Sequence, residues 1–261
     1  MIFLAVVQGL TEFLPISSSG HLVLAQHFVS FDTMSGLGVE LLLHAGTLVA
    51  VLYYYRAMIA ELIRGFLRKE MPALVFVFAA TLSMIPAVVI GLIFEEELDA
   101  AAESPIFVCS GLIITGCLLL ATRLWAHTRE RVVSPLRGLA MGVAQAIAML
   151  PGISRSGSTI AVARFLGVRP DLAAAFSFLM VVPVIIGGNL LHIVKMFKDP
   201  AESAFAGLTP GLAVVGFVVA AIVGYASVAW MVRLLNRRHF WRFGFYCLAL
   251  GIAGLIHFIW F

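Results

Sequence analysis

Gln8 and Glu12 stand four residues apart in an apolar run, so one helical face carries both side chains toward the break that follows at Pro15. A carboxylate in such surroundings is costly, and it marks a candidate functional group facing a cavity or a partner. The next residues, Ser17, Ser18, Ser19, Gly20 and His21, place hydroxyls, free backbone amides and an imidazole at the start of a second helix. Helix N-termini bind anions, and a serine within reach of a histidine is a nucleophile beside a base. Serines also cap helices routinely, so this turn alone does not decide between chemistry and structure.

A second break, Pro151-Gly152-Ile153-Ser154-Arg155-Ser156-Gly157-Ser158-Thr159, adds an arginine among hydroxyls at another helix start. The guanidinium fork matches phosphate oxygens. Used only for structure, Arg155 would want a buried acid, which Glu12 could supply. Glycines beside both breaks let backbone amides approach a phosphate closely. The inventory of carboxylate, histidine, arginine, hydroxyls and two helix N-termini suits phosphate-ester or anhydride chemistry.

The scaffold that positions these groups is apolar. Of 261 residues, 62% are hydrophobic and 12% charged, against about 25% charged in an ordinary soluble domain. A soluble core could not hide that surface, so the composition predicts an all-α polytopic membrane protein. At about 20 apolar residues per crossing, the length allows six or seven crossings and no separate soluble domain. The net charge of +3 is segregated into a few loops, so it reports topology and excludes nucleic acid as a partner. Cys109, Cys117 and Cys247 lie in apolar stretches without metal-ligand spacing and read as packing residues. The first Lys or Arg is Arg56, so no cleavable signal is expected.

Six stretches are apolar enough to span: 38–60, 73–94, 105–125, 172–196, 210–235 and 240–261. Regions 1–30 and 136–167 are apolar but broken, each reading as a helix, a break and a returning helix. Broken backbone at membrane depth requires protein or a water-filled cavity around it, which places the site between the breaks. Leu14-Pro15-Ile16-Ser17-Ser18-Ser19-Gly20 matches Leu150-Pro151-Gly152-Ile153-Ser154-Arg155-Ser156-Gly157 after one inserted glycine. The chain therefore reads as an inverted-topology repeat, 1–127 and 134–261, each half a re-entrant helix hairpin plus three transmembrane helices. Basic clusters at Arg56, Arg64, Arg68 and Lys69, at Arg123, Arg129, Arg131 and Arg137, and at Arg233, Arg237, Arg238 and Arg242 mark cytoplasmic loops. The acidic run Glu95, Glu96, Glu97, Asp99 and Glu103, and the balanced segment Lys195, Lys198, Asp199 and Glu202, then fall outside. Both termini are expected to be external, with the hairpin tips meeting near the midplane.

The string from Gln8 through Glu12 to His21 resembles the Glu/Gln-x-x-x-Glu element and following Ser/His turn of undecaprenyl-pyrophosphate phosphatases, the bacitracin-resistance type. The run from Pro151 to Thr159 is similar to their Pro-Gly-x-Ser-Arg-Ser-x-x-Thr element, and the two motifs with matching hydropathy cover essentially the whole chain. The resemblance implies removal of the terminal phosphate from undecaprenyl pyrophosphate in the bacterial cytoplasmic membrane, at a site opening outward. It implies a divalent cation, Mg²⁺ or Ca²⁺, with Glu12 and Gln8 on the metal side. Carried over by position, Ser18 is the nucleophile, His21 its general base and Arg155 the pyrophosphate clamp. Ser17, Ser19, Ser154, Ser156 and Thr159 become hydroxyl donors to substrate. Whether Ser18 or His21 attacks phosphorus stays open, because a phosphohistidine route needs the same residues. Gln8 departs from members with glutamate there, which leaves Glu12 the only carboxylate of the hairpin.

His44 on an apolar stretch reads as packed and structural, and His27, His127, His192, His239 and His257 receive no chemistry. Pro86 and Pro183 are expected to kink their spans. Trp125, Trp230, Trp241, Trp260 and Tyr53 to Tyr55 read as interfacial anchors. Gly111 and Gly116, or Gly187 and Gly188, offer the close packing a homodimer would use. The main rival is a carrier for a lipid phosphate or an anion on the same inverted-repeat architecture. A carrier needs the arginine and helix ends but not a nucleophile beside a base. A non-catalytic subunit leaves the polar groups unexplained.

Overall fold

A computed structural model describes residues 1–29, 37–125, 131–187, 190 and 209–260. The described residues are helical, in the order α1 (Ile2–Thr11), α2 (Ser18–Val29), α3 (Leu37–Tyr54), α4 (Arg56–Leu67), α5 (Met71–Ile93) and α6 (Glu95–Ala102). They continue with α7 (Pro105–Trp125), α8 (Pro135–Ile147), α9 (Arg155–Phe165), α10 (Pro170–Met180), α11 (Pro210–Asn236) and α12 (Phe243–Trp260). Proline in the first turn of α5, α7, α8, α10 and α11 starts these helices at little cost, since those N–H groups have no intrahelical partner. Five helical stretches are long and apolar enough to cross a membrane, including Pro170–Gly187 and Phe240–Trp260, and the α3–α4 pair makes up to six. The protein is a multi-pass, all-α membrane protein.

Three expectations change. The span placed at 38–60 ends at Tyr54, where the chain turns by 70° into α4. Arg56, Glu61 and Arg64 would be too costly in hydrocarbon, so this segment leaves the bundle as an amphipathic helix, and Arg56 lies 4.3 Å over the Tyr53 ring. The acidic segment expected as a loop is itself the helix α6, whose first-turn Glu95, Glu96 and Glu97 suit its positive end. The span expected at 172–196 is interrupted at Val181, two residues before Pro183, and its end lies outside the described residues. Pro86 sits inside an unbroken α5. His127, His192, Arg129, Gly188, Lys195, Lys198, Asp199, Glu202 and the Trp125 side chain also lie outside them.

The two broken regions each fold as helix, break and helix. α1 and α9 are only about 15 and 16 Å long at 1.5 Å per residue, half a hydrocarbon core. Their tips are packed at the molecule's centre: Phe13 meets Phe178 of α10 edge-on at 5.4 Å, and Leu14, Ile160, Leu119 and Met231 complete the cluster. α1 packs on α11 and α8 on α5, an exchange in which each broken helix of one half lies against a long helix of the other. Small residues make these crossings close. A Cβ on Gly9 would meet Val223 and the backbone of Ala220 and Gly224, and one on Gly142 would collide with the Ser83 backbone. Gly111 presses against the second break and Gly116 against Gly244. Both pack against other parts of the chain, whereas no described residue comes within 4 Å of a Cβ built on Gly187. Tyr53 and Trp260 are exposed, as anchors should be, but Tyr55 is buried against Phe178 and is a core residue.

Gly142→Ala should therefore destabilise the detergent-solubilised protein by roughly 1–3 kcal/mol, the cost of overpacking, while Gly187→Ala leaves the thermal midpoint unchanged. Equal midpoints for the two variants would show that the α5–α8 crossing is not tight.

Candidate active site

Glu12 follows the last turn of α1, and only 5% of the residue is exposed. Its carboxylate is fully engaged. Oε2 accepts from Gln8 Nε2 at 3.0 Å and from Ser18 Oγ at 2.8 Å, with His44 Nε2 at 3.7 Å. Oε1 takes an ion-paired hydrogen bond from Arg155, so the acid of the first break and the arginine of the second meet.

Both breaks are capped alike. Ser17 Oγ accepts from the Gly20 amide at 3.2 Å at the start of α2, and Ser154 Oγ from the Gly157 amide at 3.1 Å at the start of α9. Ser17 holds a left-handed backbone, φ 70°, uncommon for a residue with a Cβ and kept by its surroundings. Gly152, at φ 83°, takes the left-handed turn in the second break, where a side chain would also run into the Val108 carbonyl. Thr115 of α7 holds that break: it donates to the Gly152 carbonyl at 3.2 Å and accepts from the Ser154 amide at 2.9 Å. Ser156 Oγ donates to the Leu14 carbonyl at 3.1 Å, tying the two tips.

A cavity of about 190 Å³ opens over these groups, room for about six waters at ~30 Å³ each. Glu12, Ser17, Ser18, Ser19, His44, Gln145, Ser154 and Arg155 line it, with Ala87 and Val184 on an apolar wall. α2 and α9 both present N-termini to it, an arrangement for a phosphate group.

Several expected residues take other places. His21 does not reach Ser18: its Nδ1 donates to the Ser17 carbonyl at 2.7 Å, which leaves Nε2 to accept from the Tyr246 hydroxyl at 2.7 Å. The side chain that Ser18 does reach is Glu12, whose Oε2 accepts from its hydroxyl at 2.8 Å. Thr159 bonds the Arg155 carbonyl at 2.8 Å and Ser177 at 2.6 Å, and neither it nor Ser156 lines the cavity. Gln8 stands behind Glu12 and is fully buried. His44, read as structural, is a cavity residue beside Glu12.

Gln145 escaped the sequence reading. Aligning the breaks with an inserted glycine hides it, whereas an ungapped register pairs Gln8 with Gln145, Glu12 with Met149, Ser17 with Ser154 and Ser18 with Arg155.

As metal ligands, the described residues offer Glu12 at the cavity and, buried behind it and not lining the cavity, the orphaned Oε1 of Gln8, with no cluster of three His, Cys, Asp or Glu side chains. Hard oxygen donors of this number fit the protein's share of a cation site completed by substrate phosphates and water, as is usual for Mg²⁺.

Comparison with known proteins concerns the chain as a whole. The chain is 34% identical over 267 residues to undecaprenyl-diphosphatase 1 of Burkholderia lata, covering 98% of this chain and 93% of that one. It is 36% identical over 276 residues to undecaprenyl-diphosphatase of Desulfatibacillum aliphaticivorans, covering 98% and 97%. It is 32% identical over 267 residues to undecaprenyl-diphosphatase 2 of Halalkalibacterium halodurans, covering 98% and 95%. The model of the bacitracin resistance protein BacA family matches residues 1–253, and the chain belongs to that family.

Proposed function

We propose that this protein hydrolyses undecaprenyl pyrophosphate to undecaprenyl phosphate and inorganic phosphate. The product recycles the lipid carrier for peptidoglycan and other envelope polymers and gives bacitracin resistance. The observation that carries the reading is Ser18 Oγ donating to Glu12 at 2.8 Å in a cavity shared with Arg155. The relatives are all named as diphosphatases, and the carrier alternative draws no support from them.

In the mechanism, Arg155 turns its fork to the non-bridging oxygens of the terminal phosphate, and the N-termini of α2 and α9 face the same group. Ser18 Oγ attacks the terminal phosphorus while Glu12 takes its proton. The Oγ–P bond forms and the bridging P–O bond breaks, releasing the lipid monophosphate. Water then attacks the phosphoserine, the P–Oγ bond breaks, and Ser18 regains its proton from Glu12. His21, held between the Ser17 carbonyl and Tyr246, positions the left-handed turn that presents Ser18. A bound Mg²⁺ or Ca²⁺, held by Glu12 at the cavity with Gln8 supporting that carboxylate from behind, would neutralise phosphate charge.

The proposal places the protein in the bacterial cytoplasmic membrane with the cavity opening outward. Ala87 stands six residues from the end of α5 that leads into acidic α6, about 9 Å at 1.5 Å per residue. An apolar cavity lined by Pro86, Ile90, Phe107, Ile147 and Leu150 lies along the same two helices, α5 and α8, and would seat the prenyl chain. A homodimer would use Gly187, the one described glycine of its set with no described residue within 4 Å of an added Cβ. An inverted repeat, 1–127 and 134–261, accounts for the exchanged helix packing.

Phosphate release should fall at least about a thousandfold in Ser18→Ala and Glu12→Gln. Arg155→Lys should lose about a hundredfold or more, because a point charge cannot replace the fork. Phosphate assays on the purified variants check this, and near-parental turnover in Ser18→Ala would refute serine as the nucleophile. His21→Asn and Tyr246→Phe, acting on one contact, should each lower kcat and together lose no more than the worse single change. Losses that multiply would show that His21 acts apart from Tyr246.

A further inference from the structure

Gln145 is 1% exposed, yet its side chain forms part of the polar cavity's wall, and neither Nε2 nor Oε1 has a hydrogen-bond partner among the described residues. Buried amides are normally satisfied, so an orphan facing a cavity calls for a ligand. A packing role would put the amide against a backbone group, as Thr115, Ser156 and Thr159 put their hydroxyls.

The reason it is free lies in the sequence. In the ungapped register of the two breaks Gln145 stands where Gln8 does, four residues before Met149 instead of Glu12. Gln8 uses Nε2 to hold the Glu12 carboxylate. Met149 is a poor acceptor, so the equivalent amide of the second break is left to the cavity. A neutral donor there adds a hydrogen bond to an anion without adding a charge that would compete with Arg155 for Glu12.

We propose that Gln145 is a phosphate ligand of this site, its Nε2 donating to a non-bridging oxygen of the diphosphate alongside Arg155. Its Oε1 is left to a water that enters with the substrate. The inference deepens the diphosphatase reading and rests on it for its kinetic test, while the binding test below is independent.

Gln145→Leu keeps the shape and removes both orphaned atoms. Its thermal midpoint should stay or rise, because an unpaired buried amide is lost. Its kcat/KM for phosphate release from undecaprenyl pyrophosphate should fall about ten- to a hundredfold, the equivalent of one hydrogen bond to a charged group. Gln145→Glu, which sets a like charge against the phosphate, should fall further. The rise in midpoint given by inorganic pyrophosphate should shrink in Gln145→Leu. Should Gln145→Leu fail to fold, Gln145→Met answers the same question. A kcat/KM and a pyrophosphate shift both within about twofold of the parent would overturn the proposal. If the parent is shifted by pyrophosphate but releases no phosphate, the hydrolase reading fails and Gln145 is judged on the shift alone: its loss in the variant upholds the ligand, its retention removes it.

Discussion

The ion pair between Glu12 and Arg155 is the constraint around which the molecule is arranged. Each charge, taken out of water, costs several kcal/mol, and only a partner of good geometry offsets this. The partners come from the two breaks, far apart in sequence. Neither broken region can bury its charge alone, so the breaks must meet. That requirement explains the glycines at the crossings: without a side chain at Gly9 and Gly142 the broken helices sit closely enough on α11 and α5 to bring the tips together. The same closeness lets Ser156 of one tip bond the Leu14 carbonyl of the other.

Because the pair ties the breaks together, the surrounding polar groups have little freedom. Glu12 oxygens are shared among Gln8, Ser18 and Arg155, with His44 at 3.7 Å. Thr115 fixes the second break from α7 and Tyr246 fixes His21 from α12. Ser18, the proposed nucleophile, is thus set before any substrate arrives, which is what positioning requires of a group that must attack within a few tenths of an ångström of its best geometry.

How much of this was legible in the sequence depends on which forces fixed it. The spans were legible because hydrocarbon leaves few alternatives to a long apolar helix, and the breaks because Pro15, Pro151 and Gly152 stop one. Glu12 and Arg155 were legible because a charge in an apolar run has few innocent explanations. The turn at Tyr55 was not, since apolar residues run on past it and only Arg56, Glu61 and Arg64, spaced around α4, tip the segment out of the bundle. The partner of His21 was not legible either. Spacing put it near Ser18, but the left-handed Ser17 swings the start of α2 so that the ring meets the Ser17 carbonyl and Tyr246, a residue from the other end of the chain. His44 carries no signal beyond a polar side chain on an apolar helix, and Gln145 shows itself only when the two breaks are paired without a gap, so that it falls opposite Gln8.

The pair also supplies an order of events. While Arg155 lies on Glu12, the carboxylate is balanced and Ser18 keeps its proton. A diphosphate offers the guanidinium more oxygens and more charge than one carboxylate does, and the fork suits two of those oxygens at once. When Arg155 turns to phosphate, Glu12 is released from the guanidinium and keeps the hydrogen bond from Ser18, whose proton the proposed mechanism passes to it. Substrate arrival would thereby create the base that the reaction needs, and an empty site would keep its serine unreactive. An arginine shared between a carboxylate and a phosphate does this with one side-chain movement, whereas a lysine, with a single point charge, would have to give up one contact entirely to make the other.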